Sequence, residues 1–258
     1  MTFRPRATRT VTTFFAFVAL TLSGFPSGLS TARTVTPNIP GVWCSREPGR
    51  TLSTEQRQLL TRSLGRITGW EKIQFSAHGL LLLNEVADAN GGSSIARQIL
   101  TEVLRSGAAF LIEDHSRSHA VDFGQLDEGT VYEDGEHRLM IWRVRVDFDD
   151  FRQMQAPTAV RAAFDEGFML LHEMLHGLGL KDTKQVGEIG ECESVLNRAR
   201  AELGLPLRDD YFGQALRLTS SVISAKLRFK SRSPGNTKWK WHYLYFLPGR
   251  ESLEPFTW

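Results

Sequence analysis

Apolar residues at Val160, Ala163, Phe164, Gly167, Leu171, Met174, Leu175 and Leu178 recur at intervals of three and four. That is the period of a helix with one packed stripe. Pro157 suits the first turn of such a helix, and Gly177 and Gly179 mark its end. A second stripe, Cys192, Val195, Leu196, Ala199 and Leu203, predicts another helix that opens within residues 187–193. If the loop between Gly177 and Gly187 folds this helix back antiparallel, residues near 191 come level with the end of the first. Upstream, residues 141–148 alternate, with Val144, Val146 and Phe148 on one face and Arg143, Arg145 and Asp147 on the other, the pattern of a half-buried strand. Residues 108–113 read as a second strand. Near the carboxy terminus, residues 226–230 and 239–246 flank the turn signal Ser233-Pro234-Gly235-Asn236, so a hairpin is expected over about 222–247.

The amino-terminal segment has a different composition. A basic stretch over residues 1–9 precedes an apolar run over 11–25 and a small-residue site at Ser30, Thr31 and Ala32. The run is short for a membrane span, so residues 1–32 read as a secretory signal peptide, with an uncleaved signal anchor as the alternative. Residues 33–258 then form a single domain, exported to the periplasm or the exterior. The net charge of +2 gives no argument for nucleic acid as a partner. The two cysteines, Cys44 and Cys192, would pair in an oxidising compartment or remain buried thiols.

The first helix carries the chemistry. His172-Glu173-Met174-Leu175-His176 puts two imidazoles four residues apart on one face and a carboxylate beside them. This HExxH arrangement suits two zinc ligands and a general base acting on a zinc-bound water. A catalytic zinc needs a third protein ligand. Glu191, brought level with the histidines by the folded-back helix, is the first choice; Glu188, Glu193 and Asp182 follow. Asp182 also completes His172-Glu-x-x-His176-x-x-Gly179-x-x-Asp182, the metzincin spacing with aspartate as third ligand. Metzincins place a methionine turn downstream, however, and all five methionines precede Asp182.

The stretch from Phe168-Met-Leu-Leu-His-Glu-Met-Leu-His-Gly through Glu191 to Asn197-Arg-Ala-Arg-Ala-Glu-Leu-Gly-Leu-Pro-Leu-Arg-Asp-Asp-Tyr211 resembles the zincin peptidases of NleD-like type III effectors and of Rhs-type toxin ends. The likeness is close over residues 168–211 and looser upstream, where Gly91-Gly-Ser-Ser and a helix ending near Ser106 precede the strand at 108–113. The resemblance implies His172 and His176 as ligands, Glu173 as general base and Glu191 as third ligand. It departs from the family at Leu196, where a glutamate usually precedes the asparagine, and in the amino-terminal segment, which the effectors lack.

The expected fold is α+β and zincin-like, a small mixed sheet packed on the HExxH helix with a second helix following. The expected function is zinc-dependent hydrolysis of amide bonds in a protein or peptide. The alternatives are a non-catalytic envelope-binding module with a structural metal and a secreted toxin acting on another cell. Tyr211 or Arg208 either donates to the oxyanion or is structural. The strands at 141–148 and 108–113 either pair with an extended substrate or are ordinary sheet strands. His115 and His119 repeat the four-residue spacing in a loop context that does not fix a second metal site. The basic, aromatic hairpin either faces solvent or meets an envelope surface or polymer.

Overall fold

The computed structural model describes residues 37, 39–83, 90–116, 123–135, 137–185, 187–211, 214–217, 223–232, 235 and 237–246. The expected signal peptide, His119 and most of the turn at 233–236 lie outside these. The described residues belong to one compact unit, Thr34–Trp258. Along the chain come β1 (Gly41–Cys44), α1 (Thr54–Thr68), β2 (Ile73–Phe75), β3 (Leu81–Leu83), α2 (Ser94–Arg105) and β4 (Ala109–Asp114). Next are β5 (Gly124–Leu126), β6 (Thr130–Asp134), β7 (His137–Val146), α3 (Phe148–Gln153), α4 (Thr158–Ala163) and α5 (Glu166–Gly177). The chain closes with α6 (Glu191–Glu202), β8 (Leu207–Arg208), β9 (Gln214–Arg217), β10 (Ile223–Ser231) and β11 (Lys240–Phe246).

The main sheet is mixed. β1, β4 and β7 run parallel, and β5 and β6 pair antiparallel with the far edge of β7. β4 lies inside this sheet and its apolar run is buried on both faces. Phe110 and Ile112 enter the principal core with α1, α2 and α5, while Ala109 and Leu111 meet Leu139 and Ile141 on the other side. Both strands considered for pairing with a substrate, β4 and β7, therefore have their two edges already occupied. The edge nearest the histidine helix is β5. It is three residues long, too short for its period to register in the sequence.

The pattern from Val160 to Leu178 folds as two helices and not one. The chain breaks at Phe164 (φ −142°, ψ 75°), and Asp165 starts a new helix as its N-cap. Its carboxylate accepts from the Phe168 amide at 3.0 Å, from the Ser63 hydroxyl at 2.5 Å and from Arg66 at 2.7 Å, which ties the start of α5 to α1. The far end of α5 lies tight on the sheet. A Cβ at Gly177 would collide with the Phe110 ring, and one at Gly124 with Met169, so both glycines permit a close approach of helix and strand. Every residue from Gly167 to Leu175 is buried, so α5 is the central helix of an α+β fold.

α6 buries Cys192, Leu196 and Ala199 as the stripe predicts, and Glu193 and Arg200 with them. The carboxy-terminal hairpin forms from β10 and β11, in register from Ala225 opposite Phe246 to Ser231 opposite Lys240. Among the described residues no helix is long and apolar enough to cross a membrane.

Candidate metal centre

α5 delivers both imidazoles to one point. His172 Nε2 and His176 Nε2 lie 3.2 Å apart, with the ring planes at 81°. The chain then leaves the helix through Gly179, whose φ of +94° is open to glycine and strained for other residues. That turn brings Asp182 back across the histidines. Asp182 Oδ1 lies 3.3 Å from His172 Nε2 and Oδ2 lies 3.0 Å from His176 Nε2.

The other ring nitrogens are engaged behind them. His172 Nδ1 is 3.1 Å from Glu193 Oε1 and His176 Nδ1 is 3.0 Å from the Leu180 carbonyl. Both partners are acceptors, so each Nδ1 carries a hydrogen, and each Nε2 is left to offer a lone pair to a metal when the ring is neutral. The two Nε2 atoms and a carboxylate converge, with Asp182 Oδ1 buried against His172 Nε2. Such a cluster of acceptors calls for a cation, either protons or a metal. The spacing fits a metal. Ligand atoms placed about 2.0–2.1 Å from a tetrahedral zinc stand about 3.3 Å from one another, close to the three separations here.

Glu193 explains the rigidity of this arrangement. Its carboxylate is completely buried yet takes Arg200 Nη1 at 2.6 Å and Arg208 Nη1 at 2.8 Å as well as His172. Burial would raise its pKa, but the charges of Arg200 and Arg208 and the His172 hydrogen bond outweigh that and hold it well below the usual carboxylate range. For His172, burial pulls the pKa down; the hydrogen bonds it donates to Asp182 and Glu193 and the charges of Glu193 and Glu173 prevail and lift it to about 9. Asp182 is lowered despite burial, through its contacts with His172, His176 and the Tyr211 hydroxyl. These carboxylates make the pocket a strong cation trap.

Glu173 is separate from the ligand cluster. Burial raises its pKa above the ordinary value, opposed by the two histidines and by the hydrogen bond it accepts from the Leu126 amide on β5. It opens, with His176, Asp182, Tyr211 and Trp142, onto a cleft of about 440 Å³ bordered by Gly124, Gln125 and Leu126. Tyr211 stacks on His172 at 6.0 Å between centroids and 17° between planes.

The structure does not bring Glu191 into this group. Its Oε2 accepts from the Lys181 amide at 2.9 Å while its own amide donates to the Lys181 carbonyl at 2.8 Å, so it clasps the loop that carries Asp182. Glu188 accepts from Thr183, also away from the rings. The antiparallel return of α6 does place a carboxylate against a histidine, but it is Glu193 on Nδ1. Among the described residues the metal-capable group is His172, His176, Asp182 and Cys192. Cys192 Sγ sits 3.5 Å from His176 Nδ1, and the four potential ligand atoms all lie within 4.8 Å of one another. Cys44 and Cys192 are both free thiols. Burial pushes Cys44 up to about 12 and, with the charges of Asp182, Glu193 and Glu173, also raises Cys192. Arg208, considered as an oxyanion donor, is committed to Glu193 and to the carbonyls of Asp210 and Tyr211.

Sequence patterning missed Arg200 and the Leu126 amide. Arg200 had a signal, since Glu193, Leu196 and Arg200 share one face of α6 at spacings of three and four. No protein-family model, curated protein or solved structure matches the chain.

Proposed function

We propose that the chain is a zinc-dependent peptidase of zincin type, with His172, His176 and Asp182 as the metal ligands and Glu173 as the general base. The observation that carries this reading is the convergence of two Nε2 atoms and the Asp182 carboxylate at 3.0–3.3 Å, with both Nδ1 atoms already satisfied. Zinc held there supplies a Lewis acid that polarises a carbonyl and lowers the pKa of water towards ~7. Glu173, held by the Leu126 amide and raised by burial, takes the proton from the attacking water and returns it to the leaving amine. Tyr211 keeps Asp182 in place by its hydrogen bond and walls the cleft. Glu173, His176 and Asp182 line one open cleft, so a metal held there would be within reach of a substrate, which favours an enzyme over a metal that only staples helices.

Elemental analysis and variants test the ligand set. The folded wild type should carry about one zinc per chain. Asp182→Ala should lose it and Glu191→Ala should retain it. Zinc lost only in Glu191→Ala would restore Glu191 as the ligand, and a folded wild type that takes up no zinc would end the reading. Export belongs to the same proposal, and a mature amino terminus near Arg33 is its expected sign.

A further inference from the structure

We propose that the outward face of the carboxy-terminal hairpin is a docking surface for an anionic phospholipid membrane. This is independent of the metal centre. β10 and β11 bury Leu227, Phe229 and Leu244, so Lys226, Arg228 and Lys230 stand on the opposite face of β10. In register they oppose Tyr245, Tyr243 and Trp241. Each cation leans one pair towards the turn and caps the next ring. Lys226 Nζ lies 3.9 Å from the Tyr243 centroid, the Arg228 guanidinium 5.0 Å from that of Trp241, and Lys230 Nζ 5.2 Å from that of Trp239. Arg232 also covers Trp239, at 5.2 Å. The result is one cationic row beside one aromatic row.

Charge and exposure name the occupant. Among the described residues, four cations on this face meet a single carboxylate, Asp209, which pairs with Arg228 and Lys230 at 2.7 Å each. Trp239 and Trp241 remain 42% and 46% exposed, side by side at the turn end. Exposed indoles beside lysine and arginine match the headgroup depth of a bilayer, where the rings insert and the cations meet phosphates. Single-stranded nucleic acid would use the same two rows, but it stacks bases on open ring faces, and here the cations cap those faces.

The test is co-sedimentation of the full chain with phosphatidylcholine vesicles, with and without phosphatidylglycerol, at low and high salt. Wild type should bind more when phosphatidylglycerol is present, and salt should reverse the gain. Any binding by the basic and apolar segment over residues 1–25 would be common to wild type and all variants, so it subtracts out of their comparison. Lys230→Gln with Arg232→Gln should lower the salt-sensitive partitioning about 25-fold, from about five-fold per cation. Trp239→Ser with Trp241→Ser should weaken it further, and an unchanged melting temperature shows that either pair folds. Equal binding to both vesicle types by wild type, or variants that bind as wild type does, would overturn the proposal. Tight binding of an oligothymidine probe, lost in the charge variant and without vesicle binding, would assign the face to nucleic acid instead.

Discussion

Replacing Glu193 by glutamine removes the charge on which the whole centre is hung. The side chain is 1% exposed and accepts from Arg200, Arg208 and His172 together. Glutamine keeps the shape, but its amide nitrogen turns one acceptor into a donor that faces donors, and the two guanidiniums lose their common counter-charge. Breaking a buried ion pair by changing one partner costs about 3–5 kcal/mol. For a unit of this size each kcal/mol shifts the melting temperature by about 2–4 °C, so a fall of roughly 6–20 °C is expected in metal-free protein. Zinc affinity should fall about 10–100-fold, because the His172 ring is no longer oriented. The pH dependence follows from the direction of the shift. The folded-state pKa of Glu193 is depressed, so its stabilisation is present above the ordinary carboxylate pKa and is lost as pH falls through the lowered folded value. In Glu193→Gln that part of the acid sensitivity should vanish. The assay is thermal melting in chelator across pH, paired with a competitive zinc titration. A variant as stable as wild type with unchanged zinc affinity would show that Glu193 does not anchor the centre.

Other expectations follow from particular contacts. Cys44 and Cys192 should resist alkylation in the native state and react fully on unfolding without reductant, and mass analysis showing a bond between them would contradict the two free thiols. Gly177→Ala should destabilise the fold by about 1–3 kcal/mol through its collision with Phe110, read by denaturant unfolding; no loss would show that α5 has room to shift. Tyr211→Phe should weaken zinc binding with little loss of stability, since the Asp182 hydrogen bond goes and the stack on His172 stays; an unchanged zinc titration would remove that role.

Periodicity was enough to see α5, the buried stripe of α6 and the β10–β11 hairpin, because each has a long run with one buried face. The break at Phe164 was hidden, since Val160 and Ala163 continue the apolar spacing of Gly167 and Leu171 in phase. The third ligand turned on one loop. Gly179 and Asp182 were readable at metzincin spacing, but a helix level with the histidines favoured Glu191; the left-handed turn at Gly179 is what carries Asp182 to the rings and supports it as the proposed third ligand. Nor does one-dimensional patterning show that Glu193, Arg200 and Arg208 are buried together. Charged residues at such positions normally face water, and only the packing of β8 on α6 brings Arg208 to Glu193.

The role of Glu173 is read out by hydrolysis in Glu173→Gln. Cleavage of a mixed peptide library is compared between wild type and variant at matched zinc content. Glu173 is assigned to move a proton and not to hold the ion, so the variant should keep its zinc and melting temperature while losing cleavage by ~10² or more. Reproducible cleavage by wild type that persists undiminished in Glu173→Gln would contradict the account.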